Sequence, residues 1–151
     1  MNLPEDFKEF IELLNAPQVE YLIVGGYAVG FHNRPKFTND IDIWINKSEE
    51  NAHKMLAVLK DFGFGSLEIN LADFTTKDRV IQLGHAPLRF DVMTSISGVE
   101  FSEANKEKME GIYLGIKTFF ISLDQIMQNK KASGREKDLQ DIKWLKKYSK
   151  P

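Results

Sequence analysis

Two aspartates separated by one residue, Asp40-Ile41-Asp42-Ile43, are the chemically most informative feature of this 151-residue chain. In a β-strand, residues i and i+2 point to the same face, about 6.5–7 Å apart. Two ionised carboxylates held side by side in this way repel one another unless a cation lies between them. Hard oxygen donors favour Mg²⁺, with Mn²⁺ the natural alternative. A third acid, Asp91, sits in Leu88-Arg89-Phe90-Asp91-Val92-Met93. Alternation places Phe90 and Val92 on the face opposite to it, and an acid between two large apolar strand residues needs a partner. Upstream, Gly25-Gly26 follows the apolar run Tyr21-Leu22-Ile23-Val24. Glycines at a strand-to-helix turn let backbone N–H groups approach an anion closely, and the helix dipole adds to the attraction. Carboxylates for a divalent ion beside a phosphate cradle are the chemistry of phosphoryl or nucleotidyl transfer, where positioning and charge stabilisation carry catalysis.

The elements that must position these groups can be read from periodicity. Phe7, Phe10, Ile11 and Leu14 recur at helical spacing between Pro4 and Pro17. Residues 21–24 read as a buried strand, and residues 27–32 as one or two helical turns after the glycines. Residues 33–39 read as a loop. Ile41, Ile43 and Ile45 alternate with Asp42 and Trp44, giving a strand of period two. Ser48 caps a helix that runs to Phe62, with Gly63 as its stop. Residues 80–83 and 88–93 read as two strands, 103–110 as a short helix, and 112–121 as strand interrupted at Gly115. Ser122 with Gln125, and Ser133 with Glu136, fit the capping-box pattern, so two further helices are expected to begin there. The last carries Leu139, Ile142 and Leu145 on one side. The expected fold class is α+β: one domain over residues 1–151 with a mixed sheet flanked by helices, including a basic C-terminal helical segment over 122–148.

The stretch from Gly25-Gly26 through Thr38-Asn39-Asp40-Ile41-Asp42 resembles the signature of the DNA polymerase β-like nucleotidyltransferase superfamily. Thirteen residues separate the glycine pair from Asp40. Asp91 matches that superfamily's third acid. Together with the basic segment Lys130-Lys131-Ala132-Ser133-Gly134-Arg135-Glu136-Lys137-Asp138-Leu139-Gln140-Asp141-Ile142, the chain looks most like the minimal nucleotidyltransferase and AbiEii-like group. The resemblance covers about residues 21–145. It implies a Mg²⁺-dependent enzyme that moves a nucleoside monophosphate from a nucleoside triphosphate, most simply ATP, to a hydroxyl on a small molecule, a protein or an RNA end. Asp40, Asp42 and Asp91 would be the metal-binding and catalytic residues. Gly25, Gly26, Lys36, Thr38, Lys130 and Arg135 would contact the nucleotide. Lys36 stands where members of the group often carry Arg, which exchanges a bidentate fork for a point charge. The alternative is a non-catalytic or toxin–antitoxin-type binding module that retains the fold.

Composition narrows the field further. There is no cysteine, hence no disulfide framework and no thiol chemistry. No P-loop pattern and no G-x-S-x-G elbow occurs, and the glycines at 25, 26 and 30 do not fit a dinucleotide fingerprint. No apolar run approaches the ~20 residues of a membrane span, and the acidic N-terminus lacks the features of a leader, so a cytoplasmic location and no membrane partner are expected. Residues 128–151 carry eight basic and three acidic side chains, against 12 basic and 19 acidic in the remainder. A basic surplus confined to the C-terminus argues against general DNA binding and allows a local RNA contact. So short a chain leaves no separate acceptor domain, which points to a partner protein or a homodimer.

Overall fold

The computed structural model describes residues 3–32, 40–65, 68–85 and 88–148. A six-stranded mixed sheet in the order β3-β4-β2-β1-β6-β5 carries seven described helices. Its strands are β1 Tyr21–Val24, β2 Asp40–Ile45, β3 Val80–His85, β4 Leu88–Met93, β5 Met109–Tyr113 and β6 Ile116–Phe120. β2 lies at the centre, antiparallel to β1 and parallel to β4. The helices are α1 Leu3–Asn15, α2 Gly25–His32, α3 Glu49–Phe62, α4 Leu71–Thr75, α5 Phe101–Lys106, α6 Leu123–Ser133 and α7 Glu136–Tyr148.

Alternation along β2 and β4 gives the sheet two chemically different faces. One face carries Ile41, Ile43, Ile45, Phe90 and Val92, each no more than 1% exposed. Helix α1 covers it through aromatic packing: Phe90 stacks on Phe10 at 4.3 Å and meets Phe7 edge-on at 5.2 Å. Phe62 of α3 closes the cluster at 5.6 Å from Phe90. The other face carries Asp40, Asp42 and Trp44 from β2 beside Arg89, Asp91 and Met93 from β4. The apolar face anchors the strands, so the polar face is free to hold charge.

Several expected elements differ in extent. Residues 103–110 divide between α5, which begins at Phe101, and β5, which begins at Met109. β5 is an edge strand with both faces partly exposed, so it shows no period-two signal. Helix α4 has no counterpart among the elements expected from periodicity. It is capped by Asn70 and Asp73, whose side chains bond each other's backbone N–H, a capping box built without Ser, Thr, Glu or Gln. Ser133 does not cap α7. It ends α6, ahead of Gly134 in the left-handed conformation at φ 68°, and its hydroxyl bonds Lys130 O and Asp138. The buried face of α7 is Asp138, Ile142 and Leu145, while Leu139 is 43% exposed.

That buried aspartate organises the α6–α7 hairpin. Burial pushes the Asp138 carboxyl up. Hydrogen bonds from Ser133 and Arg135, with the charge of Lys130, more than offset this and hold it at about 2. Because the folded value lies below the unfolded one, the ionised group contributes stability above about pH 4, and that contribution is lost as pH falls toward about 2. Asp138→Asn is therefore expected to lower stability at pH 7 by about 2 kcal/mol, since it leaves the largely buried Lys130 short of a counter-charge. The deficit should vanish near pH 2, as read by denaturant midpoints across pH. An equal deficit at both ends would assign the effect to packing instead.

Candidate active site

Register brings the acids together. In the parallel β2–β4 ladder, Asp42 lies opposite Asp91 and Asp40 lies opposite Arg89. All four side chains therefore share one face at the same end of the sheet. One carboxylate oxygen from each of Asp40, Asp42 and Asp91 lies within 4.8 Å of the others, close enough for a single hard cation to take a ligand from each. Asp91 is 7% exposed, whereas Asp40 and Asp42 are partly open to solvent.

The electrostatics of the cluster are unbalanced. Burial, followed by the negative charges of Asp91 and Asp40, pushes Asp42 up to about 6, with Arg89 acting in the opposite direction. Arg89 makes a fork on Asp91, with Nε to Oδ1 at 3.0 Å and a terminal nitrogen to Oδ2 at 2.9 Å. The same terminal nitrogen lies 3.8 Å from Asp40 Oδ2. Three acids and one guanidinium leave a net charge of −2 when all are ionised.

The glycine turn abuts this cluster. β1 ends at Val24, which pairs with Asp42, and α2 begins at the next residue. Gly25 has φ +70°, and a Cβ built there would collide with the Asp42 carboxylate. Only glycine lets the turn and the acid approach so closely. Gly26 lies within the first turn of α2. The far end of that helix is tied to the sheet where His32 Nε2 meets the Ile121 carbonyl at 2.6 Å.

The other sequence candidates fall in two groups. Lys130 and Arg135 are brought together on Asp138, at 3.4 Å and 2.7 Å, and Lys130 also meets Asp141 at 3.0 Å. Lys130 is 12% exposed and Arg135 76%. Lys36 and Thr38 lie outside the described residues. Arg89 is the residue that the carboxylate pattern under-reported: its i−2 relation to Asp91 puts it on the same strand face, but only the β2–β4 register shows it also facing Asp40. Two broad depressions, of about 730 and 820 Å³, lie at the opposite end of the sheet. They are lined by residues such as Tyr21 and Lys117, or Trp44 and Thr94, and by none of the three acids.

The mixed sheet thus presents three carboxylates beside a strand–glycine–helix turn. Residues 1–146 match the family described as nucleotidyltransferases of unknown function (DUF6036), and the chain belongs to that family. No curated protein matches it in sequence. Among solved structures, it is similar to TM1012, a candidate nucleotidyltransferase from Thermotoga maritima, with 21% identity and a TM-score of 0.65 over 97% of this chain and 96% of that one. It is also similar to the lincosamide antibiotic adenylyltransferase LnuA in its lincomycin-bound form, at 22% identity and TM-score 0.58 over 94% and 95% of the two chains. A third similar structure is ANT(2")-Ia in complex with adenylyl-2"-tobramycin, at 13% identity and TM-score 0.58 over 93% and 85%. These likenesses establish a shared fold. Among the described residues, no helix is long and apolar enough to cross a membrane.

Proposed function

We propose that this nucleotidyltransferase transfers a nucleoside monophosphate, most simply AMP from ATP, to a hydroxyl acceptor, breaking the α–β phosphoanhydride bond and releasing pyrophosphate, with Mg²⁺ or Mn²⁺ as cofactor. The observation that carries this reading is the convergence of Asp40, Asp42 and Asp91 within 4.8 Å, in contact with the Gly25 turn. The donor set fits a hard divalent ion: all three ligands are carboxylates, and Asp42 is held near 6 by burial and the surplus of negative charge. When bound, such an ion neutralises phosphate charge and orients the triphosphate for in-line displacement.

The chain's own residues divide the remaining work. Asp40 and Asp42 hold the ion. Asp91, on the neighbouring strand, completes the site and accepts the proton of the attacking hydroxyl. Backbone N–H groups at Gly25 and Gly26, aided by the start of α2, receive the phosphate tail. Lys36 and Thr38, which precede Asp40 in sequence, contact the nucleotide. Arg135 is exposed enough to meet an anion directly, whereas Lys130 would reach one only by leaving Asp138 and Asp141. The acceptor is a small molecule, a protein side chain or an RNA end, and a partner chain or second copy completes its site. Adenylyltransferases among the structural neighbours support the adenylyl choice. Retention of three mutually repelling acids favours catalysis over a binding-only module, because a binding module gains nothing from that repulsion.

The direct test is incubation with α-labelled nucleoside triphosphates, Mg²⁺ and a cell extract, with a search for label on a new acceptor. Transfer of label from ATP in the native protein, absent from Asp42→Asn, is expected. Release of free nucleoside monophosphate without transfer would instead assign hydrolysis. No labelled product with any triphosphate would overturn the reading.

A further inference from the structure

We infer that Arg89 is the resident counter-ion of the carboxylate cluster, and that its guanidinium competes with the divalent cation for Asp91. The inference rests on the metal-dependent reading above and adds a positioning residue to it.

Three observations converge. The fork on Asp91 engages both carboxylate oxygens, at 3.0 and 2.9 Å, which is the strong, planar geometry for an Arg–carboxylate pair. The same guanidinium lies 3.8 Å from Asp40 Oδ2, so one cation serves acids on two strands. Its placement is fixed by the fold: Arg89 faces Asp40 across the parallel ladder and shares the strand face of Asp91 by the i−2 relation. The arginine thus occupies the charge position that a divalent ion would otherwise fill. An ion drawing on Asp40, Asp42 and Asp91 together would stand beside a full positive charge in a partly desolvated site, where repulsion is poorly screened. Arg89 is 38% exposed and can swing outward, whereas Asp91 is 7% exposed and cannot. Asp91 would therefore join as a ligand or proton acceptor only once the fork opens. The same geometry explains how three acids tolerate one end of the sheet before any ion arrives.

The test measures divalent binding rather than turnover. Mn²⁺ is titrated into the full-length protein by calorimetry, with free Mn²⁺ followed in parallel by electron paramagnetic resonance. Native chain, Arg89→Met and Arg89→Lys are compared. Arg89→Met keeps an apolar stem and removes the charge; it is expected to bind Mn²⁺ at least about tenfold more tightly. Its metal-free melting temperature should fall, and saturating Mn²⁺ should restore more of it than in the native chain. Arg89→Lys retains a point charge without the fork and should fall between the two; it also serves if Arg89→Met does not fold. Weaker or unchanged binding in every variant that folds would overturn the inference, making Arg89 a brace for Asp91 rather than a competitor. Absence of Mn²⁺ binding by the native chain, even at millimolar concentrations, would instead overturn the metal-dependent reading itself.

Discussion

Asp42→Asn is expected to abolish transfer while making the metal-free protein more stable. The two effects share a cause. Burial and the charges of Asp91 and Asp40 hold the Asp42 carboxyl at about 6. An acid whose folded value is raised costs nothing in its neutral form. Its stability relative to the unfolded chain is full below about pH 4 and is lost as pH rises through about 6. At pH 8 the ionised group therefore costs on the order of 3 kcal/mol, since each tenfold change in an acid's ionisation constant is worth about 1.4 kcal/mol. The carboxamide removes that cost, and for a chain of this size a rise of about 10 °C in melting temperature is expected. At pH 4 the native and substituted proteins should melt together. Transfer should fall at least about a thousandfold, because a neutral amide neither balances nor orients the charge that develops in the reaction. Scanning calorimetry at the two pH values, with and without Mg²⁺, checks the stability effect. A lower melting temperature at pH 8 would show that Asp42 is a structural acid.

The second large effect is expected from the smallest possible substitution. Gly25→Ala adds one carbon to a residue at φ +70°, and that carbon collides with the Asp42 carboxylate. Left-handed backbone costs an alanine about 1–2 kcal/mol, so stability should fall by at least that amount. Relief of the clash must move either the turn or Asp42, and both belong to the proposed site. Transfer should drop at least about a hundredfold, in line with the sensitivity of positioned catalysis to displacements near 1 Å. Gly26→Ala is the control. Gly26 already lies in α2, where alanine is favoured over glycine by up to about 1 kcal/mol. It should keep its fold and divalent-ion affinity while weakening triphosphate binding. If Gly25→Ala retained native stability and transfer, the contact between turn and acid would be incidental.

Both predictions draw on features that the linear pattern carries to different degrees. The strand at residues 40–45 and the common face of Asp40 and Asp42 are legible because an Ile-x-Ile-x-Ile ladder admits one pleat. The same alternation marks Asp91 as standing apart from Phe90 and Val92. Pairing between β2 and β4 is not legible, because register is a contact between segments with a helix pair and a strand between them. With the register hidden, Arg89 reads as a neighbour of Asp91 and nothing more. Its approach to Asp40 at 3.8 Å emerges only in three dimensions. The start of β5 is hidden for a different reason: on an edge, residues 109–111 need no apolar face. α7 shows how a short-range pattern misleads. Leu139 suggests the buried side, yet Asp138 takes it, with its carboxylate bonded by Ser133, Arg135 and Lys130.

The parallel ladder between β2 and β4 also governs when the cluster exists at all. Asp42 and Asp91 are 49 positions apart in sequence and meet only through that pairing. In the unfolded ensemble Asp91 is separated from the Asp40–Asp42 pair, so the three-carboxylate site is absent and most of the ion's affinity belongs to the native state. Added at about a hundred times its dissociation constant, such an ion would deepen the native well by about 2.7 kcal/mol. Cellular divalent-ion levels would then influence how long each copy survives proteolysis, independently of any turnover.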